Sequence, residues 1–395
     1  MTGTKRGLII GCGVAGPVLA MFLKRAGIAA TVYEGRPTAR DDVGAFLGLA
    51  PNARDVLQTL GIREQIEALG LPSPRIAFLN HKGKQLGINP QPVVTFKRGK
   101  LSQGLREAAL AEGVPIEWNK RLMSLEQTDD RVVAHFEDGS SAEGDFLVGC
   151  DGTMSNVRTA ILPDSPPPHY THIIGSGAYT RVPGLESTNG TMYMSFCLNS
   201  FFGYQVADDG EVYWFDNYYQ KREPAPGEIE STPDEELKAR LVELHKPDHH
   251  PIEEIIASTD MNIIRWSVVE MPTLSTWYKG RVVLVGDAAH AMGPHSGQGG
   301  SMAMEDAIVL AKCLRDIPDI GTAFATYQSI RKERVEHVVE VTRRTGDAKE
   351  PPGFFGRLTR DLILPIFLKK GVNAAADIHN HHIDWDEGTS RAAAA

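Results

Sequence analysis

The sequence predicts an α/β protein: a doubly wound parallel-sheet unit, an inserted antiparallel sheet and a C-terminal helical segment. Three observations predict it. Strand, glycine turn, helix and second strand follow one another within the first 34 residues. A β-rich, aromatic texture begins near residue 169. After 280 the strand-then-helix texture returns and leads into a charged helix.

Residues 7–10 (GLII) read as a short buried strand, 16–26 (GPVLAMFLKRA) as a helix ending at Gly27, and 29–34 (AATVYE) as a second strand. Together they make a βαβ unit. Helical spacing recurs at 52–60 (NARDVLQTL) and 105–112 (LREAALAE), and 130–151 alternates as a hairpin about Asp138-Gly139. YTHIIGSGAYTRV, TMYMSFCLNSFFGYQV and EVYWFDNYYQ then read as an antiparallel sheet. A Pro/Glu-rich loop at 221–236 leads to the helix ELKARLVEL. YQSIRKERVEHVVEVTRRTG reads as an amphipathic helix, and GTSRAAAA as a low-complexity tail. The expected division is a nucleotide-binding unit of 1–77, 98–168 and 276–320, a substrate-binding sheet of 78–97 and 169–275, and C-terminal helices and tail from 321 to 395.

The 395 residues are 42% hydrophobic and 23% charged, so a large core is available without covalent staples. A net charge of −9 argues against a nucleic-acid binder. The four cysteines, Cys12, Cys150, Cys197 and Cys313, form no C-x-x-C pair and read as free thiols in a reducing cytoplasm. Lys5 and Arg6 before LIIGCGVAGPVLAMFL imitate a secretory leader, but glycines 11, 13 and 16 explain that run better. Elsewhere no stretch of about 18 uncharged apolar residues suggests a membrane span.

Gly11-Cys12-Gly13-Val14-Ala15-Gly16 is G-x-G-x-x-G between a strand and a helix. The first glycine permits the tight turn, the second lets backbone approach a pyrophosphate, and the third lets helix pack on strand. Glu34 closes the second strand, where a carboxylate can take ribose hydroxyls. The pattern is Rossmann-like and fits an adenine dinucleotide, FAD or NAD.

GDAAHAMGPHSGQGGSMAMEDA (286–307) follows the apolar run RVVLV and gathers Asp287, His290, His295, Ser296 and Ser301. A hydrolytic site, a metal site and a cofactor loop could all claim them. Ser296 fails as a nucleophile elbow, because G-x-S-x-G needs glycine where Pro294 stands. Asp287, His290 and His295 lack metal-ligand spacing, and no metal is expected. His290 reads as a packed loop histidine, and the tail cluster His379, His381 and His382 as exposed or packed. Asp287 stands at the C-terminal end of a strand, where ligands bind open α/β sheets, and can accept from sugar-alcohol hydroxyls. Pro294, Gly297, Gln298, Gly299 and Gly300 carry little bulk, so backbone N–H groups can meet a flat ring. The helix beginning near Ser301 offers its positive end, which suits the N1/O2 edge of an isoalloxazine. Asp287 and Asp151 could each also simply cap a turn.

At these motifs, with GCDGTMSNVR (149–158), the chain resembles the FAD-dependent group A aromatic monooxygenases, the para-hydroxybenzoate hydroxylase-like class. The resemblance covers about 5–60, 95–160 and 275–345. It implies an FAD-binding fold of glutathione-reductase type, with Gly11, Gly13, Ala15 and Gly16 at the dinucleotide, Glu34 on the adenosine ribose and Arg36 near the adenosine. Arg98 would reach the flavin and pyrophosphate, Asp151 and Arg158 would serve FAD and NAD(P)H, and Asp287 would hold the ribitol. Pro294, Gly297, Gly299 and Gly300 would flank the ring. Cys150 stands where the family often has Ala, and Ser301 where many members have Asn.

The resemblance also implies a reaction. NAD(P)H reduces FAD, O₂ adds at flavin C4a, and the hydroperoxide oxygenates an aromatic or polycyclic small molecule, polyketides among the options. No second glycine fingerprint marks an NAD(P)H domain, and no catalytic base is named. Candidate substrate contacts are Arg181, Phe202, Tyr204, Tyr213, Phe215 and His295, with Gln205 as a further polar anchor, since alternate residues of the aromatic strands share a face. Ordinary sheet core is the bland alternative for each. Rival readings are a halogenase, disfavoured because no W-x-W-x-I-P is present, an isoprenoid reductase, or a non-catalytic FAD- and metabolite-sequestering protein. A monomer or homodimer is expected.

Overall fold

The computed structural model describes residues 5–39, 41, 44–260, 262–347, 351–369 and 376–389; the end of the expected tail lies outside them. A six-stranded sheet runs in the order Tyr278–Lys279, Val282–Leu284, Phe146–Gly149, Arg6–Ile10, Ala29–Tyr33, Ile116–Glu117. All its pairings are parallel except that of the edge strand Tyr278–Lys279. Leu8, Ile9, Phe146, Leu147, Val283 and Leu284 are fully buried, as strands covered on both faces must be. Helix Ala15–Arg25 packs against helix Gly299–Asp316.

The stretch expected as one hairpin divides in two. Ser141–Gly144 pairs antiparallel with Val132–Phe136, whereas Phe146–Gly149 joins the parallel sheet. The first segment is half exposed and polar, while the second is apolar and wholly buried. Asp145 marks the switch, its carboxylate accepting the Arg6 N–H at 2.6 Å.

The second sheet has eight strands, ordered Ile264–Glu270, His169–Arg181, Glu211–Tyr219, Ser200–Val206, Thr191–Phe196, Leu71–Asn80, Gln85–Lys97, Phe46–Leu49. Its pairings are antiparallel except that of Thr191–Phe196 with Leu71–Asn80. Two strands assigned by sequence to the nucleotide-binding side belong here: Phe46–Leu49, and Leu71–Asn80, which runs through the expected boundary at 77/78. Hydrogen bonding to Gln85–Lys97 holds both.

Helices Asp234–His245 and Ile252–Ala257 cover one face of this sheet and close a second core around Phe202, Trp214, Leu241 and Ile255. Helix Ile320–Asp347 buries Phe324, Tyr327, Arg331, Val335, Val338 and Thr342, a three-and-four spacing that lays one stripe on the first core. Helix Phe354–Lys369 follows. No helix of the described residues is long and apolar enough to cross a membrane. Cys12, Cys150, Cys197 and Cys313 are all free.

Candidate FAD cradle and substrate face

At the glycine turn, Gly11 has φ +110°, and a Cβ there would lie 2.3 Å from the Cys150 carbonyl oxygen. A Cβ on Gly16 would lie 2.1 Å from the Gly11 oxygen, so helix and turn touch backbone to backbone. A Cβ on Gly13 would meet nothing within 4 Å, which leaves that side of the turn open. Glu34 folds back across the opening: Oε2 accepts the Cys12 N–H at 2.9 Å and Oε1 the Arg36 N–H at 3.0 Å. Burial, with Glu34 beside it, lifts the Cys12 thiol to about 12, so no thiolate competes for the turn.

The loop 286–301 lies across the C-terminal ends of the same strands. Gly286 has φ +62°, and its N–H donates to Asp306 Oδ2 at 2.9 Å. His290 Nε2 meets the same oxygen at 2.6 Å, and Arg331 Nε donates to Oδ1 at 2.8 Å. Burial pushes the Asp306 pKa up, but His290 and Arg331 outweigh it and hold the carboxyl far below its usual range. The neighbouring Glu305 accepts from Arg331, from Arg334 Nε and Nη2 and from Asn52 Nδ2, all within 2.7 Å. Asn52 Nδ2 also donates to Gln298 Oε1 at 3.0 Å. A buried ionic lattice thus fixes both ends of the loop. Of these lattice residues the sequence singled out only His290, read as a packed loop histidine, and Gln298 of the glycine loop; Glu305-Asp306 closing the quoted run was the available signal for the rest.

On this frame Asp287 is half buried, and among the described residues its carboxylate takes no protein hydrogen bond. Pro294–Ser296 forms a 3₁₀ turn, and Gly297 is left-handed. Cβ atoms on Gly297 and Gly300 would meet nothing within 4 Å, and one on Gly299 only Asp287 Oδ1 at 3.8 Å. Helix Gly299–Asp316 begins here with no acid in its first turn and no side-chain cap. Ser301 Oγ is buried and has no hydrogen-bond partner among the described residues. Ser296 is tied to Thr342 of the long helix at 2.5 Å, a structural bond and no part of a nucleophilic triad.

The remaining cofactor candidates divide. Asp151 accepts from Ser155 Oγ at 2.5 Å and from the Val157 N–H at 3.1 Å, so it anchors helix Asn156–Ile161 as a turn cap. Burial raises its pKa against those bonds. Arg158 is buried and donates to the Ala288 carbonyl at 2.9 Å and the Thr153 carbonyl at 2.7 Å, stapling the Asp-Gly turn to the 286–290 segment. Arg36 and Arg98 are exposed, and Arg98 packs its stem beneath Gly44.

The eight-stranded sheet separates the substrate candidates by parity. Phe202 and Tyr204 point into the second core, Phe202 stacking on Trp214 at 5.6 Å. They are packing residues and leave the substrate set. Arg181 lies at the exposed end of the sheet, bound to Asp209 at 2.7 Å, and leaves it too. Tyr213 and Phe215 face the other way and meet Phe46 at 6.1 and 5.6 Å. Gln205 shares their parity but is engaged, accepting from Ser73 at 2.6 Å, which in turn bonds Thr95 at 2.8 Å. Farther along this face Phe201, Asn217 and Tyr219 line a cavity of about 220 Å³ with His169, Glu270 and His295. Glu270 Oε1 accepts the Gly293 N–H at 3.2 Å and so ties the sheet to the loop.

The residues fit FAD. An open glycine turn with a carboxylate behind it, a half-buried carboxylate on the next loop and an uncapped helix start match its adenosine, ribitol and ring in that order. The fold and site define a nucleotide-binding flavoprotein of this type. The FAD binding domain family matches residues 5–342. Aurachin C monooxygenase/isomerase of Stigmatella aurantiaca is 30% identical over 382 residues, covering 93% of this chain and 95% of the relative. 6-Hydroxynicotinate 3-monooxygenase of Bordetella bronchiseptica is 28% identical, covering 87% and 91%. The structure of Klebsiella pneumoniae HpxO complexed with FAD and uric acid superposes with a TM-score of 0.85 at 23% identity, covering 96% and 97%. The chain belongs to the FAD-dependent group A aromatic monooxygenases.

Proposed function

We propose that this enzyme uses NAD(P)H and O₂ to hydroxylate or otherwise oxygenate an aromatic or polycyclic small molecule held between loop 286–301 and the odd-numbered face of strand Glu211–Tyr219. The observation that carries this reading is the cavity: it shares His295 with the loop and Phe201, Asn217 and Tyr219 with the sheet. FAD, when bound, supplies the electron transfer and oxygen activation.

The chain's part is positional and electrostatic. Glu34 and the Gly11–Gly16 turn take the adenosine half, Asp287 the ribitol hydroxyls, and the N–H groups at Gly299 and Gly300 the electron-rich ring edge. The Asp306 and Glu305 lattice keeps those groups in place without a reorganisation cost during turnover. Tyr213, Phe215 and Phe46 offer aromatic surface that excludes water, while Asn217 Oδ1, buried and without a partner among the described residues, offers one acceptor for a substrate N–H or O–H. Relatives named as a 6-hydroxynicotinate 3-monooxygenase and a 3-hydroxybenzoate 6-hydroxylase support an aromatic substrate.

The test is stopped-flow flavin reduction by NADH and by NADPH over a panel of phenols, hydroxylated N-heteroaromatics and polycyclic ketones. A ligand that accelerates reduction and emerges one oxygen atom heavier, coupled to O₂ uptake, supports the reading. Uniformly slow reduction and no oxygenated product across the panel would overturn it.

A further inference from the structure

Among the described residues, the cavity between sheet and loop is lined by one buried charge. Glu270, which ends strand Ile264–Glu270, is 5% exposed. The other charged or imidazole groups of the lining are His169 and His172 of strand His169–Arg181, His295 of the loop, and Arg343 and Asp347 of helix Ile320–Asp347. His295 is half buried and those four are exposed. Arg343 is paired on its own helix with Glu340. The two oxygens of Glu270 have different surroundings. Oε1 accepts the Gly293 N–H at 3.2 Å, which ties the carboxylate to the cofactor loop. A Cβ on Gly293 would fall 2.8 Å from that oxygen and 2.8 Å from His295 Cδ2, so carboxylate and imidazole flank the same Cα. Oε2 accepts no hydrogen bond from the described residues; His169 Nε2, its ion-pair partner, stands 3.8 Å away, beyond bonding distance. Asn217, 9% exposed, adds an acceptor at Oδ1, also without a partner among the described residues.

We infer that Glu270 makes this site selective for a neutral aromatic that presents an O–H or N–H donor, and against the same ring carrying a carboxylate. The inference rests on the substrate reading of this cavity. A buried carboxylate oxygen without a donor is short of the hydrogen bonds that water would give it, and a ligand hydroxyl or ring N–H restores one. A ligand carboxylate instead brings a second negative charge beside a desolvated one, and none of the cationic lining groups is buried to offset it. A hydrogen bond to a charged acceptor contributes about ten- to a hundredfold in affinity. Glu270 thus reads the protonated, uncharged edge of the ligand, while its other oxygen keeps the loop in place.

Isothermal titration calorimetry of the FAD-loaded, full-length enzyme with 2-naphthol, 2-methoxynaphthalene and 2-naphthoate tests this. No NAD(P)H is present, so binding is read apart from turnover. 2-Naphthol is expected to bind about ten- to a hundredfold more tightly than its methyl ether, which lacks the donor, and 2-naphthoate more weakly than either. Glu270→Gln keeps an oxygen for the Gly293 N–H and turns an NH₂ toward the cavity. With FAD retained, this variant is expected to narrow the naphthol preference below about threefold and to bind naphthoate more tightly than wild type does. Wild type that binds naphthoate as tightly as naphthol overturns the inference, whether or not the variant keeps its cofactor. So does a naphthol preference that survives Glu270→Gln, and so does failure of all three probes to bind. An oxygenated product from the stopped-flow panel beside any of these results leaves the proposed reaction standing. Donor-selective binding without any oxygenated product supports the inference and counts against that reaction.

Discussion

Replacing Asp306 by Asn tests whether the buried lattice holds the cofactor loop. Asp306 is wholly buried and receives N–H groups from Gly286 at 2.9 Å and Arg331 at 2.8 Å, with His290 Nε2 at 2.6 Å. An amide keeps the size but loses the charge, and turns an NH₂ toward one of those nitrogens. Hydrogen bonds to a charged group contribute about 1.5–3 kcal/mol each, and breaking a buried pair costs about 3–5 kcal/mol. A loss of about 3–5 kcal/mol is therefore expected in urea unfolding of the apoprotein at pH 7. Because the folded pKa of Asp306 is depressed, its contribution is fully present above the unfolded value near 4 and fades as pH falls toward the folded one. The gap between wild type and variant should accordingly narrow below about pH 4. FAD affinity should fall as well, since Gly286 precedes Asp287. A loss under about 1 kcal/mol at pH 7, or a gap that widens on acidification, would refute the reasoning.

Four further outcomes follow from the same geometry. Asp287→Ala should lose bound yellow FAD on gel filtration with the circular dichroism unchanged; full occupancy would remove Asp287 from the ribitol role. Gly16→Ala should abolish FAD retention and destabilise by about 1–3 kcal/mol or more, because the new methyl falls 2.1 Å from the Gly11 oxygen; wild-type melting would show that helix and turn can separate freely. His245 is buried between Asp216 and Asp248, each 3.0 Å away. Burial lowers its pKa, but the carboxylates outweigh that and lift it to about 12, so its stabilisation is full below about pH 6.5 and declines as pH rises toward 12. His245→Gln should therefore cost more at pH 6 than at pH 9, and an equal cost at both would contradict the ion triad. Arg181→Ala, at the exposed hairpin end, should leave kcat/KM within about threefold of wild type; a larger loss would return Arg181 to the substrate site.

The glycine turn and strand-end carboxylate proposed for the cofactor were legible in the sequence because their signals are local backbone requirements. Gly11 needs φ +110°, Gly16 admits no Cβ, and Glu34 ends the adjoining strand, all within one βαβ unit. Gly297, left-handed at φ +65°, is of the same kind, and so is the buried stripe of the helix Ile320–Asp347, whose period is written along the chain. The substrate half was not legible, for a specific reason. Alternation in TMYMSFCLNSFFGYQV and EVYWFDNYYQ separates Phe202 from Phe201 and Trp214 from Phe215, but aromatic residues stand on both faces and both faces are buried. Hydrophobicity then carries no sign, and only the docking of helices Asp234–His245 and Ile252–Ala257 decides that Phe202 and Tyr204 are core. Arg158 and Asp306 show the same limit in polar form. Their partners, Ala288 for one and Arg331 for the other, lie 130 and 25 residues away, and no local pattern encodes a pairing of that range. The sequence by itself determined where backbone must bend or pack closely; the tertiary structure alone decided which face of the sheet the helices cover, because packing between distant elements breaks a tie that periodicity leaves.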